Sequence, residues 1–153
     1  MDHEKYMRMA LELAAQAEGD GDVPVGCVIV KEDRVIGRGR NRREGRGDAT
    51  AHAEVEAIRD ACARTGSWRL TDCTLYVTLE PCPMCAGAII NSRIRTLRYG
   101  TRDDKAGCCG SVLNLFEERF NHHPRIYQGP LKEECESQLQ DFFRGLREKS
   151  GEI

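Results

Sequence analysis

Cys82 and Cys85 stand three residues apart in the stretch PCPMC, directly after the apolar run Leu75-Tyr76-Val77-Thr78-Leu79. Two thiols at that spacing can form a redox couple, supply half of a structural metal site, or belong to a catalytic one. A candidate partner lies upstream, where TAHAEVEAI carries His52 and, two residues on, Glu54. At a helix start, positions i and i+3 project to the same side. The helix N-terminus also lowers thiol pKa, favouring the thiolate that binds metal. Two sulfurs and one nitrogen are a normal donor set for zinc, and three protein ligands leave a fourth position for water. Glu54 can face that position and exchange a proton with the water there.

Each half-motif has a plainer reading. PCPMC alone could be a thioredoxin-like pair, although a redox motif does not call for a His-x-Glu partner. A structural zinc needs a fourth ligand, which Cys108 or Cys109 could supply. A lone histidine at a helix start is more often a cap or core residue than a ligand. Both halves together, with Glu54 placed to move protons, favour a catalytic zinc site.

The surrounding pattern supplies elements to position these residues. Met7, Ala10, Leu13, Ala14 and Ala17 recur at helical spacing and predict a helix from about Glu4 to Glu18, ended by Gly19-Asp20-Gly21-Asp22. Val25–Val30 and Arg34–Arg40 read as two strands of a hairpin around Lys31-Glu32-Asp33. A polar loop from Asn41 to Thr50 leads to a helix over Ala51–Arg64, with Val55, Ile58 and Cys62 on one face. Strand Thr74–Leu79, helix Met84–Asn91 and strand Thr96–Gly100 follow. The tail carries an apolar stripe of Leu131, Cys135, Leu139, Phe142 and Leu146, with Gly129-Pro130 at the helix start. Helix, hairpin, then alternating helix and strand indicate α/β, a sheet covered by helices on both faces.

At 153 residues, 40% hydrophobic and 31% charged, the chain reads as one globular domain over 1–153 and not as a disordered segment. It has no apolar run of membrane-spanning length and no basic-then-apolar leader, so the expectation is a cytoplasmic protein. In that compartment eight cysteines point to metal or thiol roles rather than to disulfides. The net charge of −2 hides a segregation. Arg34, Arg38, Arg40, Arg42, Arg43 and Arg46 crowd one segment against a single acid, Glu44. Arg93, Arg95, Arg98, Arg102 and Lys105 face only Asp103 and Asp104 in another. Clustered arginines can form a footprint for phosphates, and a solvated loop is the bland alternative.

H-x-E paired with P-C-x-x-C resembles the signature of the zinc-dependent base deaminases. From the first helix to about Glu148, VPVGCVIV, DATAHAEVEAI, TLYVTLEPCPMCAGAI and FFRGLR are similar to the bacterial tRNA-specific adenosine deaminases. The zinc motifs are shared with cytidine, cytosine and guanine deaminases. GRGRNRREGRGDATAHAE, TRDDKAGCCGS, NHHPRI and the tail helix discriminate more. The resemblance implies a cytidine-deaminase-like fold, a five-stranded mixed sheet in three α/β/α layers, usually as a homodimer. It implies conversion of adenosine to inosine at the wobble position of an arginine tRNA anticodon stem-loop. It further implies zinc on His52, Cys82 and Cys85, and Glu54 as proton shuttle. Asn41 would read the target base, Asp103 would lie near the flanking sugar, and Lys105 and His122 would sit on the RNA-facing rim.

Some positions depart from that pattern. Ala49 stands where proline is common, Cys108 and Cys109 where small alanines are usual, and His123-Pro124 where arginine is frequent at the first position. Two rivals remain at this level. A deaminase of free guanine or cytosine needs the zinc set but no phosphate footprint. A non-catalytic, zinc-stabilised RNA-binding module accounts for the arginines and the metal but not for Glu54.

Overall fold

The computed structural model describes residues 1–150, so the last three residues of the expected domain lie outside the described part. Helix α1 (His3–Gly19) is capped by Asp2, whose carboxylate accepts from the Lys5 N–H. Strands β1 (Gly26–Lys31) and β2 (Arg34–Arg40) form the hairpin. Its two turn residues, Glu32 and Asp33, both take positive φ, as a tight turn matched to strand twist requires. There follow α2 (Arg43–Arg46), α3 (Ala53–Thr65), β3 (Thr74–Leu79), α4 (Pro83–Asn91), β4 (Thr96–Thr101), β5 (Arg125–Gln128) and α5 (Lys132–Ser150). The sheet order is β2-β1-β3-β4-β5. β1 runs antiparallel to β2 and β3, while β3, β4 and β5 run parallel, so the sheet is mixed and five-stranded.

Alternation along β1 divides the core between two faces. Val28 and Val30 pack with Tyr6, Met7 and Ala10 of α1 and with Cys135 of α5. Cys27 and Ile29 point the other way, toward Ala53, Ala57 and Ala61 of α3 and Ile89 and Ile90 of α4. Helices therefore cover both faces, as the three-layer reading requires.

Helix α3 buries a different face from the one its larger side chains suggest. Ala53, Ala57 and Ala61 are buried, and Val55, Ile58 and Cys62 are half-buried. A Cβ at Gly37 would run into the Ala57 backbone, and one at Gly39 into the Ala53 backbone. Glycine on the strand and alanine on the helix thus let the two backbones approach, which fixes where α3 begins.

Other differences are local. The loop from Asn41 to Thr50 contains the short α2. The buried Asp22 carboxylate holds it by accepting from the Glu44 and Gly45 N–H groups. β5 is a four-residue strand that no alternation announced. Helix α5 starts at Lys132, after Gly129-Pro130 rather than on it. Cys135 seats α5 against β4, where Gly100 has no room for a Cβ. Of the expected stripe, Cys135 and Leu139 are buried, but Leu146 is 47% exposed. No helix among the described residues is long and apolar enough to cross a membrane.

Candidate active site

The starts of α3 and α4 meet beside the ends of β3 and β4, the usual place for a site in an α/β sheet. His52 and Cys82 are the extended residues immediately before α3 and α4. Pro83, in the first turn of α4, fits a position whose N–H has no intrahelical partner. This turn presents Cys82 and, one helical turn on, Cys85 to the same point.

His52 Nδ1 lies 3.6 Å from Cys82 Sγ and 3.5 Å from Cys85 Sγ. Zn–S bonds of about 2.3 Å and a Zn–N bond of about 2.0–2.1 Å at tetrahedral angles separate sulfur and nitrogen by about 3.5–3.6 Å. The donor set therefore fits zinc in type and spacing. Nδ1 is the metal-facing nitrogen, so a bound metal would displace the proton that Nδ1 shares with the thiols and leave the ring proton on Nε2. Among the described residues these three form the one cluster suited to hold a metal ion.

The electrostatics prepare the same donors. Hydrogen bonds from Cys85 and from His52 pull the Cys82 thiol down to about 4. The reciprocal bond to Cys82, then burial, push Cys85 far up, so this pair keeps one proton on Cys85 for a metal to displace. The Cys82 sulfur raises the pKa of His52. Glu54, on the first turn of α3, is buried, and burial pushes its carboxyl up to about 7. Its proton can therefore move in either direction near neutral pH.

An open cleft of about 1370 Å³ runs from this cluster between two loops and the later turns of α5. On one side stands Asn41, whose amide donates to the Val23 carbonyl and whose oxygen accepts from the Arg43 N–H. One amide hydrogen and one lone pair remain for another partner. On the other side Asp103 Oδ1 accepts from the Lys105 and Ala106 N–H groups, and Lys105 is exposed at the rim. His122 is elsewhere: its Nε2 hydrogen-bonds the Ile94 carbonyl at 2.6 Å, and it does not line the cleft.

Several cleft residues were not singled out individually in the sequence, although Arg43 belongs to the arginine cluster and Phe143 and Arg147 to the FFRGLR stretch. These three line the cleft, as does Glu80. The clue to Glu80 was a lone acid at the end of a buried apolar run, which is costly unless it is partnered. Cys108 and Cys109 do not join the metal cluster. Cys108 is 1% exposed, and Cys109 packs half-buried against the same core. Changing both to alanine should leave zinc content near one per chain by metal analysis; a large loss would restore the four-ligand alternative.

Of the arginines read as a phosphate footprint, Arg40 is engaged by Gln16 and Asp20, and Arg46 by Glu56. Arg38, Arg42 and Arg43 form no side-chain ion pair among the described residues.

The MafB19-like deaminase family model matches residues 1–147. The chain is 49% identical to a tRNA-specific adenosine deaminase of Bacillus subtilis (strain 168) over 147 residues, 95% of this chain and 91% of that protein. It superposes with a TM-score of 0.85 and 44% identity on a structure from work on A-to-I editing by tRNA:A34 deaminases at the wobble position of transfer RNA. That match covers 89% of this chain and 99% of the other. A guanine deaminase of Bacillus subtilis superposes with a TM-score of 0.65 and 35% identity, covering 97% and 95% of the two chains.

Proposed function

From the premise that the chain belongs to the MafB19-like deaminases, and among them to the bacterial tRNA-specific adenosine deaminases, we propose that it hydrolyses adenosine to inosine at the wobble position of a tRNA anticodon. The observation that carries this reading is the zinc-spaced His52–Cys82–Cys85 cluster with the buried Glu54 beside it. The family resemblance extends it to an arginine tRNA, to a homodimer in the cytoplasm, and to one catalytic domain over the whole chain.

The reaction consumes one water. A C6–O bond forms, the C6–N6 bond breaks, and ammonia leaves. His52, Cys82 and Cys85 would hold zinc, which when bound supplies Lewis acidity and an activated water at neutral pH. Glu54 accepts a proton from the attacking water and returns protons to the ring nitrogen and the leaving amine. Its burial keeps bulk water from competing for that proton. Asn41 offers its spare donor and acceptor to the base edge, and Asp103 offers its second carboxylate oxygen to a sugar hydroxyl. Lys105 stands at the rim for the backbone. His122 would act on RNA only indirectly, through the Ile94 backbone it holds.

The cleft also favours a base presented on RNA. Pockets for small ligands enclose about 300–1,000 Å³, and this one is larger and open. A single-stranded loop gives up its base at low cost. The test is ammonia release from an anticodon stem-loop, free guanine and free cytosine in parallel. Release from the stem-loop alone is expected, and release from a free base alone would replace this reading with the small-molecule one.

Salt reports on the footprint. Changing Arg38, Arg42 and Arg43 together to alanine should flatten the slope of log affinity against log salt by about 2 units. An unchanged slope would place these arginines away from the RNA.

A further inference from the structure

The Glu80 carboxylate is 2% exposed, yet it lies between the last residue of β3 and the metal-binding start of α4. Every donor it meets comes from one loop. Oε1 accepts from the Asp103 N–H at 3.0 Å and from the Ser111 hydroxyl. Oε2 accepts from the Cys109 N–H at 2.7 Å and the Ser111 N–H at 3.2 Å. Gly107 completes the wrap, because a Cβ there would collide with the carboxyl group. The backbone doubles the link. Glu80 N–H donates to the Thr101 carbonyl, and Cys108 N–H donates to the Pro81 carbonyl.

Among the described residues no lysine, arginine or histidine pairs with this carboxylate. Its charge is met by backbone amides and one hydroxyl. A carboxylate buried this way requires its donors, and the donors converge only when the loop from Thr101 to Ser111 holds one shape. That loop carries Asp103 and Lys105 into the cleft. Asp103 is tied to both ends of the arrangement. Its N–H donates to Glu80, and its own carboxylate receives Lys105 and Ala106.

We propose that Glu80 is a positioning residue for substrate. It sets the loop that presents Asp103 and Lys105 at a fixed distance from the Cys82–Cys85 helix start, so that RNA bound by the loop delivers its base to the metal site. This rests on the deaminase reading above. Glu80 does not touch the reacting atoms and takes no proton in the cycle.

Glu80→Gln separates this role from bulk stability. A glutamine amide cannot accept on the side where Cys109 and Ser111, or Asp103, donate, so the loop loosens while side-chain volume is kept. Ser111→Ala removes one donor and leaves the others, giving a milder version of the same change. The measurements on zinc-loaded protein are zinc content, anticodon stem-loop affinity, and kcat and KM for inosine formation.

For Glu80→Gln the expected result is about one zinc per chain, kcat within about threefold of wild type, and KM and Kd both raised about 10–100-fold. Ser111→Ala should shift KM and Kd in the same direction by a smaller factor. Partial unfolding would instead lower kcat and zinc content together and leave KM unchanged, which would overturn the proposal. So would unchanged KM and Kd in both variants. Absence of inosine formation by the wild-type protein would overturn the deaminase reading itself, and the positioning role with it.

Discussion

Glu54→Gln is expected to keep its zinc, its fold and most of its RNA affinity while single-turnover inosine formation falls by at least about 10²–10⁴-fold. The upper part of that range, or beyond it, is reasonable because one group serves several proton transfers in each cycle. Glutamine nearly matches the volume of glutamate, so the buried pocket at the first turn of α3 is not emptied. It also removes a carboxyl that burial has raised to about 7, so the variant gains neither an unpaired buried charge nor a base. Glu54→Ala should agree in sign, with an added cost from the cavity. Loss of zinc together with activity would make Glu54 a ligand or a structural residue. Retained turnover would remove its assigned role.

Cys82→Ala should fail for a different reason. With one of three donors gone, zinc should fall well below one per chain after dialysis, and inosine formation should fall to background. Cys82 is half-buried and outside both core clusters, so the protein should remain folded by circular dichroism. The contrast between the two variants is the informative part. One keeps metal without turnover, and the other loses turnover because it loses metal. Near-stoichiometric zinc in Cys82→Ala would sink the ligand assignment.

The metal centre was legible because its chemistry is written in short spacings at helix starts. Glu54 follows His52 by two positions and Cys85 follows Cys82 by three, so local structure alone aligns each half. The sheet was legible for the same reason up to β4, since alternation and apolar runs act over a few residues. β5 was not, because its four residues take their place from pairing with β4. The most deeply buried face of α3, Ala53, Ala57 and Ala61, is not announced by the sequence for lack of bulk, although Ile58 and Cys62 do pack against the core. Alanine carries little hydropathic signal beside valine and isoleucine, and the glycines that admit it lie on a different strand. A lone acid after an apolar run hints that Glu80 needs partners, but not which ones, because they are mostly backbone N–H groups in a loop some twenty to thirty residues away. The arginines were read by composition. Only side-chain geometry separates Arg40 and Arg46, which are engaged within the protein, from Arg38, Arg42 and Arg43.

The most direct test is to incubate the zinc-loaded protein with a tRNA carrying adenosine at the wobble position and then identify the base at that position. Inosine there, formed by the wild-type protein and absent with Glu54→Gln, is the expected result. Adenosine left intact at that position, with free guanine deaminated by the same preparation, would contradict the account.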